Sequence, residues 1–153
     1  MTTLEQQYVH QLFSLNCDSR SAISDLTGIE KFTELTSFSA SLTKAASLNP
    51  LAAITENLTT LNFRNGELHS DLSVFAQLSN LTWLLTSNVL IDAKQLISIS
   101  KNPSRQYLFL YNSGITDITP IMDMTTLLSI SINDTSDSKT AKLSQILACP
   151  KPL

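Results

Sequence analysis

Apolar and polar residues alternate in five short segments of this chain, and the segments recur at nearly constant intervals. The central apolar residues of the segments are separated by 23, 23, 24 and 22 positions, and they are Phe38, Leu61, Leu84, Leu108 and Ile130. Alternation of this kind is typical of a half-buried β-strand. A constant interval of this length is typical of a repeat protein, in which each unit buries its apolar face only against its neighbours. The pattern therefore predicts five parallel strands, one for each coil.

The clearest unit covers residues 107–127. Leu108 and Leu110 alternate with three aromatic residues over 107–111, which indicates a strand with one apolar side and one aromatic side. Apolar residues then follow at roughly every third position, which suits a tight return path rather than a second strand. One strand and one return make a single coil of a solenoid. Residues 91–102 are an exception, because their pattern predicts a turn or two of helix.

The two ends of the chain have helical patterns. Residues 3–16 place apolar side chains at helical spacing, which predicts an amphipathic helix that seals the core at the first coil. Residues 140–147 predict a short closing helix after a run of helix-capping residues. No linker divides the chain. We therefore expect a single domain over 1–153, with an N-terminal helical cap at 1–22, repeats at 23–135 and a C-terminal cap at 136–153.

Two motifs carry a resemblance to a known family. The strand pattern L-x-x-L-x-L is matched at residues 58–63, Leu-Thr-Thr-Leu-Asn-Phe, and the return pattern at residues 115–121, Ile-Thr-Asp-Ile-Thr-Pro-Ile. Over about residues 23–135 the chain resembles the bacterial leucine-rich repeat family, most closely the internalin-like subclass. The resemblance implies an α/β fold: a right-handed leucine-rich repeat solenoid of about five coils, with a parallel concave sheet and helical caps at both ends. Such motifs specify a fold and not a function.

The chain departs from the family pattern where an asparagine normally follows each strand. The five positions are instead Thr43, Gly66, Val89, Ser113 and Thr135. Asparagines stand one place earlier, at Asn65, Asn88 and Asn112. A continuous asparagine ladder at the family position is therefore not expected.

Composition narrows the range of partners and compartments. Charged residues are 15% of the chain, the net charge is −3, and no run of Lys or Arg occurs, so neither nucleic acid nor a membrane surface is an expected partner. The sequence has no apolar stretch of membrane-spanning length and no basic-then-apolar N-terminus, which favours a cytoplasmic protein. Cys17 and Cys149 should lie several strands apart, beyond the ~7 Å Cα separation that a disulfide tolerates.

No catalytic or metal-binding motif is present in the sequence. His10 and His69 have no partner at zinc-binding spacing, and no Gly-rich phosphate loop or Gly-x-Ser-x-Gly elbow occurs. Asp25, Asp71 and Asp117 recur at similar coil positions, and we interpret them as turn caps. The expectation is a protein that is not an enzyme and that has no cofactor and no metal.

One group of residues stands out on the side of the strands that points away from the core. The first, second and fifth strands present only Ser, Thr, Asn and one Arg there, whereas the third and fourth present a Trp, a Leu and three more aromatic side chains. A soluble protein seldom exposes such a patch without a partner, and Trp, Tyr and Arg are common at interface hot spots. The predicted partner-binding residues are Arg64, Trp83, Leu85, Tyr107, Phe109 and Tyr111.

Other interpretations of this patch are an inverted strand register, a cover supplied by a terminus of the chain itself, and a homodimer interface. The hypothesis we favour is a non-enzymatic protein–protein interaction module. A specific form of it is an inhibitor or immunity-type protein that occludes a cognate enzyme or toxin. A homo-oligomeric structural protein and an exported effector or adhesin of the internalin kind are the alternatives. An enzyme that uses the concave groove is disfavoured, because the outward positions carry only Ser, Thr, Asn and one Arg as polar residues.

Overall fold

Six parallel strands form one sheet, and their spatial order is their order in the chain. The structure is a computed structural model and describes residues 8–18, 23–41, 47–64 and 72–133. The strands are β1 (Ser14–Cys17), β2 (Ser37–Ser41), β3 (Thr60–Arg64), β4 (Trp83–Ser87), β5 (Tyr107–Tyr111) and β6 (Ser129–Asn133). A single sheet of consecutive parallel strands is the architecture of a leucine-rich repeat solenoid.

The strand register confirms the predicted anchors. The five anchor residues stand opposite one another from β2 to β6, so no strand is shifted relative to the repeat interval. Leu61, Leu84 and Leu108 are completely buried, whereas the residues that alternate with them are only half-buried. A shift of one residue would exchange the two faces of a strand. The inverted register is therefore wrong.

The first strand corrects the predicted N-terminal helix. Tyr8 and Val9 are helical, but Ser14–Cys17 form β1 and pair with β2, where the pattern predicted helix up to residue 16. A short helix is marginally stable alone, and a strand gains a ladder of hydrogen bonds along the exposed edge of β2. In the part of the chain that the structure describes, the sheet thus has six strands rather than five. Residues 1–7, which the helix was also predicted to include, lie outside the described residues.

The returns between strands are short and mostly 3₁₀-helical. Three coils return through Asn49–Ile54, Leu72–Ala76 and Thr119–Ile121, and the first coil contains the turn Ile29–Lys31. The remaining return contains the α-helix Ala93–Ser100, as the sequence predicted for residues 91–102. This return lies in the coil with the 24-residue interval.

A reciprocal capping box begins the helix Ala93–Ser100. The Asp92 side chain accepts a hydrogen bond from the Gln95 N–H at 2.8 Å, and the Gln95 side chain accepts one from the Asp92 N–H at 2.8 Å. The two bonds satisfy backbone donors that would otherwise have no partner at a helix start. The predicted C-terminal cap at 136–153, with its short helix at 140–147 and Cys149, lies outside the described residues, while Cys17 carries a free thiol.

Arg105 occupies a core position that the other coils give to leucine. The first leucine of the strand motif is Leu35, Leu58, Leu81 and Leu127 in the coils of β2, β3, β4 and β6. Arg105 is 0% exposed, and its three guanidinium nitrogens have no hydrogen-bond partner among the described residues. Burial lowers the pKa of Arg105 from its ordinary value to about 9. A buried charge without a partner costs several kcal/mol, so this residue opposes the stability of the fold.

Two ladders of side-chain hydrogen bonds connect successive coils. Asn57, Asn80 and Asn102 each donate from Nδ2 to a backbone carbonyl 24 residues earlier. Thr59 and Thr82 donate from Oγ1 to carbonyls 23 residues earlier. The Thr36 and Thr59 carbonyls also accept backbone N–H groups of the next coil, so the side-chain bonds reinforce a contact that the backbone already makes.

At the strand ends, where the family places its asparagine, Val89 and Ser113 are buried, and the asparagines one place earlier bond to each other. Asn112 donates from Nδ2 to Oδ1 of Asn88 at 2.8 Å. Both residues adopt positive φ, 58° for Asn88 and 50° for Asn112. Asparagine tolerates this conformation better than most residues, which explains its use at the point where the chain leaves the strand.

Thr86 provides a direct test of the strand register. It lies at an inward position, is 1% exposed, and its hydroxyl has no hydrogen-bond partner among the described residues. Valine has nearly the same shape and no hydroxyl to desolvate, so Thr86→Val should raise the free energy of unfolding by about 1 kcal/mol. Urea unfolding followed by circular dichroism measures this. The matched control is Thr59→Val, which removes a hydroxyl that is bonded to the Thr36 carbonyl at 3.1 Å and should lower stability. A destabilised Thr86→Val variant would contradict the inward placement.

Candidate partner-binding face

The side of the sheet that points away from the core is here called the outer sheet face, and its residues form three rows across the strands. The row positions follow from the register, in which Trp83 stands opposite Tyr107, Leu85 opposite Phe109, and Ser87 opposite Tyr111. Because every strand has the same phase, each row crosses the sheet without interruption. The register therefore brings the five predicted apolar and aromatic residues of β4 and β5 together on this face.

The aromatic side chains of β4 and β5 are in direct contact. We call Trp83, Leu85, Tyr107, Phe109 and Tyr111 the aromatic cluster. The ring centroid of Trp83 lies 5.1 Å from that of Tyr107 and 4.8 Å from that of Phe109, and Phe109 lies 6.4 Å from Tyr111. These separations fall in the range at which aromatic pairs contribute about 0.5–1.5 kcal/mol beyond the burial of their area. The cluster thus supports the sheet as well as presenting a surface.

Mutual contact also shields the cluster from water. All five side chains are half-buried, whereas the sequence had led us to expect them to be exposed. The exposed large apolar residues of the described chain include Leu90 at 60% and Ile97 at 43%, neither of which is in the cluster. Leaving the cluster in contact with water therefore costs less free energy than exposing four isolated aromatic side chains would cost.

Arg64 lies at the end of β3, beside the cluster. It is exposed, and it stands opposite Ser87, which in turn stands opposite Tyr111. With strands about 4.8 Å apart, the Cα atoms of Arg64 and Tyr111 are about 10 Å from each other. All six residues predicted for partner binding therefore lie on one continuous part of the outer sheet face.

Small polar residues surround the cluster on both sides. β2 contributes only serines to the outer sheet face, and β6 contributes Ser129, Ser131 and Asn133. Beside β2, the Asp18 carboxylate accepts a hydrogen bond from the Ser39 hydroxyl at 2.5 Å. The face is thus polar at both ends and aromatic between them, which the pattern of the sequence predicted.

The recurring aspartates are turn caps where the structure describes them. The Asp25 carboxylate accepts hydrogen bonds from the backbone N–H and hydroxyl of Thr27, and Asp117 accepts the same pair from Thr119. These bonds, the hydroxyl first, lower the pKa of both carboxyl groups. Asp71 lies outside the described residues. The sequence interpretation of Asp25 and Asp117 is confirmed.

A cavity of about 720 Å³ opens at the β1 end of the solenoid, and sequence reasoning missed it. Its wall is mainly apolar and includes Leu15, Ile23, Leu26 and Phe38.

Among 8–18, 23–41, 47–64 and 72–133, no three His, Cys, Asp or Glu side chains are grouped so as to hold a metal ion. In those ranges no helix has the length and apolar character needed to cross a membrane.

Comparison with known proteins supports the fold. No family model and no curated protein matches the chain. Internalin C2 from Listeria monocytogenes, a solved structure, superposes with a TM-score of 0.64 at 22% identity, covering 84% of this chain and 55% of that one. An internalin of the same species, InlF, aligns with a TM-score of 0.33 at 20% identity, covering 92% of this chain and 60% of that one, a score too low to indicate a shared fold.

The chain thus has the internalin-like leucine-rich repeat fold, a class of solenoid with one parallel sheet. It spans about 55% of the length of the internalin C2 structure that it resembles.

Proposed function

We propose that this protein is a non-enzymatic interaction module that binds a partner protein through the outer sheet face, with the aromatic cluster and Arg64 at the centre of the contact. The observation that carries the proposal is the placement of the cluster. Six strands at about 4.8 Å spacing form a face about 24 Å wide, and its large apolar and aromatic side chains all lie on the neighbouring strands β4 and β5. Clustered aromatic residues with a nearby arginine are typical of interface hot spots.

Small polar residues on both sides of the cluster support the same proposal. Hot spots are usually surrounded by contacts that contribute little energy but exclude water from the centre. Serine and threonine side chains can fill that role, because they lie close to the sheet and leave room for a partner. The fold similarity to internalin C2 is consistent with such a module, although at 22% identity it indicates the architecture only.

A more specific proposal is that the protein inhibits or neutralises a cognate enzyme or toxin by covering its active surface. Two other candidates use the same face differently: a homo-oligomer in which two copies pair through the cluster, and an exported effector or adhesin.

The test compares three forms of the protein in affinity capture from native cell lysate. The cluster variant, Trp83→Thr/Tyr107→Ser/Phe109→Ser, replaces each aromatic residue with the residue that β3 or β6 has in the same row. The control variant, Leu90→Ala/Ile97→Ala, removes exposed apolar side chains outside the outer sheet face. We expect one protein to be retained by the wild type and the control, with affinity for the cluster variant at least tenfold weaker, which corresponds to about 1.4 kcal/mol.

Circular dichroism and urea unfolding establish that each variant is folded, and Phe109→Ser alone replaces the cluster variant if the triple substitution unfolds. Equal retention of the same partner by the wild type and the cluster variant would overturn the proposal. A wild type that captures nothing and sediments as a dimer, while the cluster variant is a monomer, would favour the homo-oligomer.

A further inference from the structure

We infer that the partner presents a carboxylate beside an apolar or aromatic anchor, and that Arg64 binds this carboxylate while the aromatic cluster binds the anchor. The inference rests on the proposed function and adds the chemistry of the ligand. It follows from the distribution of charge on the outer sheet face and from the space between Arg64 and Tyr111.

Charge on the outer sheet face is limited to one residue among the outward strand positions. Of the outward residues of the six strands, Arg64 alone is ionised at neutral pH, and the others are Ser, Thr, Asn, Leu and aromatic residues. The chain as a whole has a net charge of −3. The Asp18 carboxylate, bonded to Ser39 beside β2, is the other charge described near this face. A single cation among the outward strand positions of an acidic protein is complementary to a single anion on a partner.

Arg64 is not paired within the described residues. It is exposed, no described carboxylate lies within salt-bridge distance of it, and the Asp18 carboxylate is hydrogen-bonded to Ser39. Among the described residues its guanidinium donors thus have no carboxylate partner. A guanidinium presents a planar fork that matches a carboxylate with two parallel hydrogen bonds.

The row that contains Arg64 has a gap next to the cluster. Ser87 separates Arg64 from Tyr111, and it is the smallest outward residue of β4. The large side chains of Arg64 and Tyr111 therefore lie on either side of the small Ser87 side chain. The gap is about two strand spacings wide between Cα atoms, about 10 Å, which suits one acidic side chain. A carboxylate placed there would contact the guanidinium while its neighbour in the partner lies against the Phe109 and Tyr111 rings.

The experiment selects binders from loops of twelve random residues displayed on a folded scaffold. Four forms of the protein serve as targets: the wild type, the cluster variant, Arg64→Glu and Lys94→Glu. Lys94 is exposed on the helix Ala93–Ser100, so Lys94→Glu makes the same charge change away from the outer sheet face. We expect loops selected by the wild type to contain aromatic or other apolar residues together with Asp or Glu at twice or more their frequency in the starting library.

The variants test the proposed function and the carboxylate preference separately. Arg64→Glu should bind the selected loops at least tenfold more weakly and should itself select Lys or Arg, while Lys94→Glu should behave as the wild type. Loops that bind the cluster variant and the wild type equally would overturn the proposed function. Loops that need the cluster but show no acidic preference and no sensitivity to Arg64→Glu would overturn this inference and leave the proposed function standing. A wild type that enriches no loop would overturn both.

Discussion

Arg105→Leu should raise the free energy of unfolding by about 2–4 kcal/mol, the largest stabilisation that we expect from a single substitution in this chain. The arginine is fully buried and its guanidinium has no hydrogen-bond partner among the described residues. Leucine fills the equivalent position in the coils of β2, β3, β4 and β6, so the replacement removes a desolvated charge and restores the side chain that the repeat accommodates. Urea unfolding at pH 7 measures the change. The slope of the unfolding free energy against urea concentration should be the same for the variant and the wild type.

The matched control is Arg64→Leu, the same substitution at an exposed position. Surface substitutions usually change stability by no more than about 0.5 kcal/mol, so this variant should unfold at nearly the urea concentration of the wild type. A decrease in stability for Arg105→Leu would show that the guanidinium makes favourable contacts in the folded protein and would contradict the interpretation of Arg105 as an unpaired charge.

The effect of Arg105 should also depend on pH. Burial lowers its pKa to about 9 in the folded protein, well below the ordinary value, so above pH 9 the unfolded chain binds the proton more strongly. Stability therefore rises as the pH increases above about 9, and this contribution is lost as the pH falls through 9. The advantage of Arg105→Leu should be greatest below pH 8 and should shrink by about 1 kcal/mol by pH 10. An advantage that is unchanged at pH 10 would contradict the lowered pKa.

Asn102→Ala should lower the free energy of unfolding by about 2–3 kcal/mol. Asn102 is 2% exposed, donates from Nδ2 to the Leu78 carbonyl and accepts at Oδ1 from the Ser104 N–H at 2.9 Å. Alanine leaves the Ser104 N–H without this partner and removes one of two hydrogen bonds to the Leu78 carbonyl, which still accepts from the Leu81 N–H at 3.0 Å. A group left unsatisfied inside the protein costs more than the net value of a hydrogen bond. Urea unfolding measures the loss.

Asn57→Ala is the control for this substitution, because Asn57 occupies the same ladder but is exposed. It donates to the Thr33 carbonyl at 2.9 Å, and water can replace that bond. Its removal should cost less than about 1 kcal/mol. Equal losses of stability for Asn57→Ala and Asn102→Ala would show that burial does not determine how much each hydrogen bond of this ladder contributes to stability.

Much of the architecture could be predicted because the strand signal is local and is repeated. The inward and outward positions of each alternating segment align with those of the next. A wrong inward assignment in one segment would therefore have disagreed with the other segments. The phase placed Leu84 and Leu108 inward and Trp83 and Tyr107 outward, and the burial of these residues agrees. The composition of the candidate site could therefore be predicted before its geometry was known.

β1 shows where a local pattern misleads. Leu12, Leu15 and Cys17 have the spacing of the strand motif, and Leu15 lies 23 residues before Phe38, which extends the repeat interval by one coil. The same residues also fit helical spacing with Tyr8 and Val9. Periodicity alone does not distinguish a short helix from a strand, and the decision depends on the free edge of β2, which becomes available only in the folded sheet.

From the sequence alone one can derive the repeat interval, the inward and outward side of five strands, the helical return near residue 95 and the residues of the outer sheet face. These properties follow from the order of apolar and polar side chains along a regular backbone. Only the tertiary structure shows that Arg105 is buried without a hydrogen-bond partner among the described residues and that Trp83 and Phe109 shield each other from water. Burial and ring contact depend on side chains contributed by neighbouring coils about 23 residues away, and no local pattern records how closely those side chains pack.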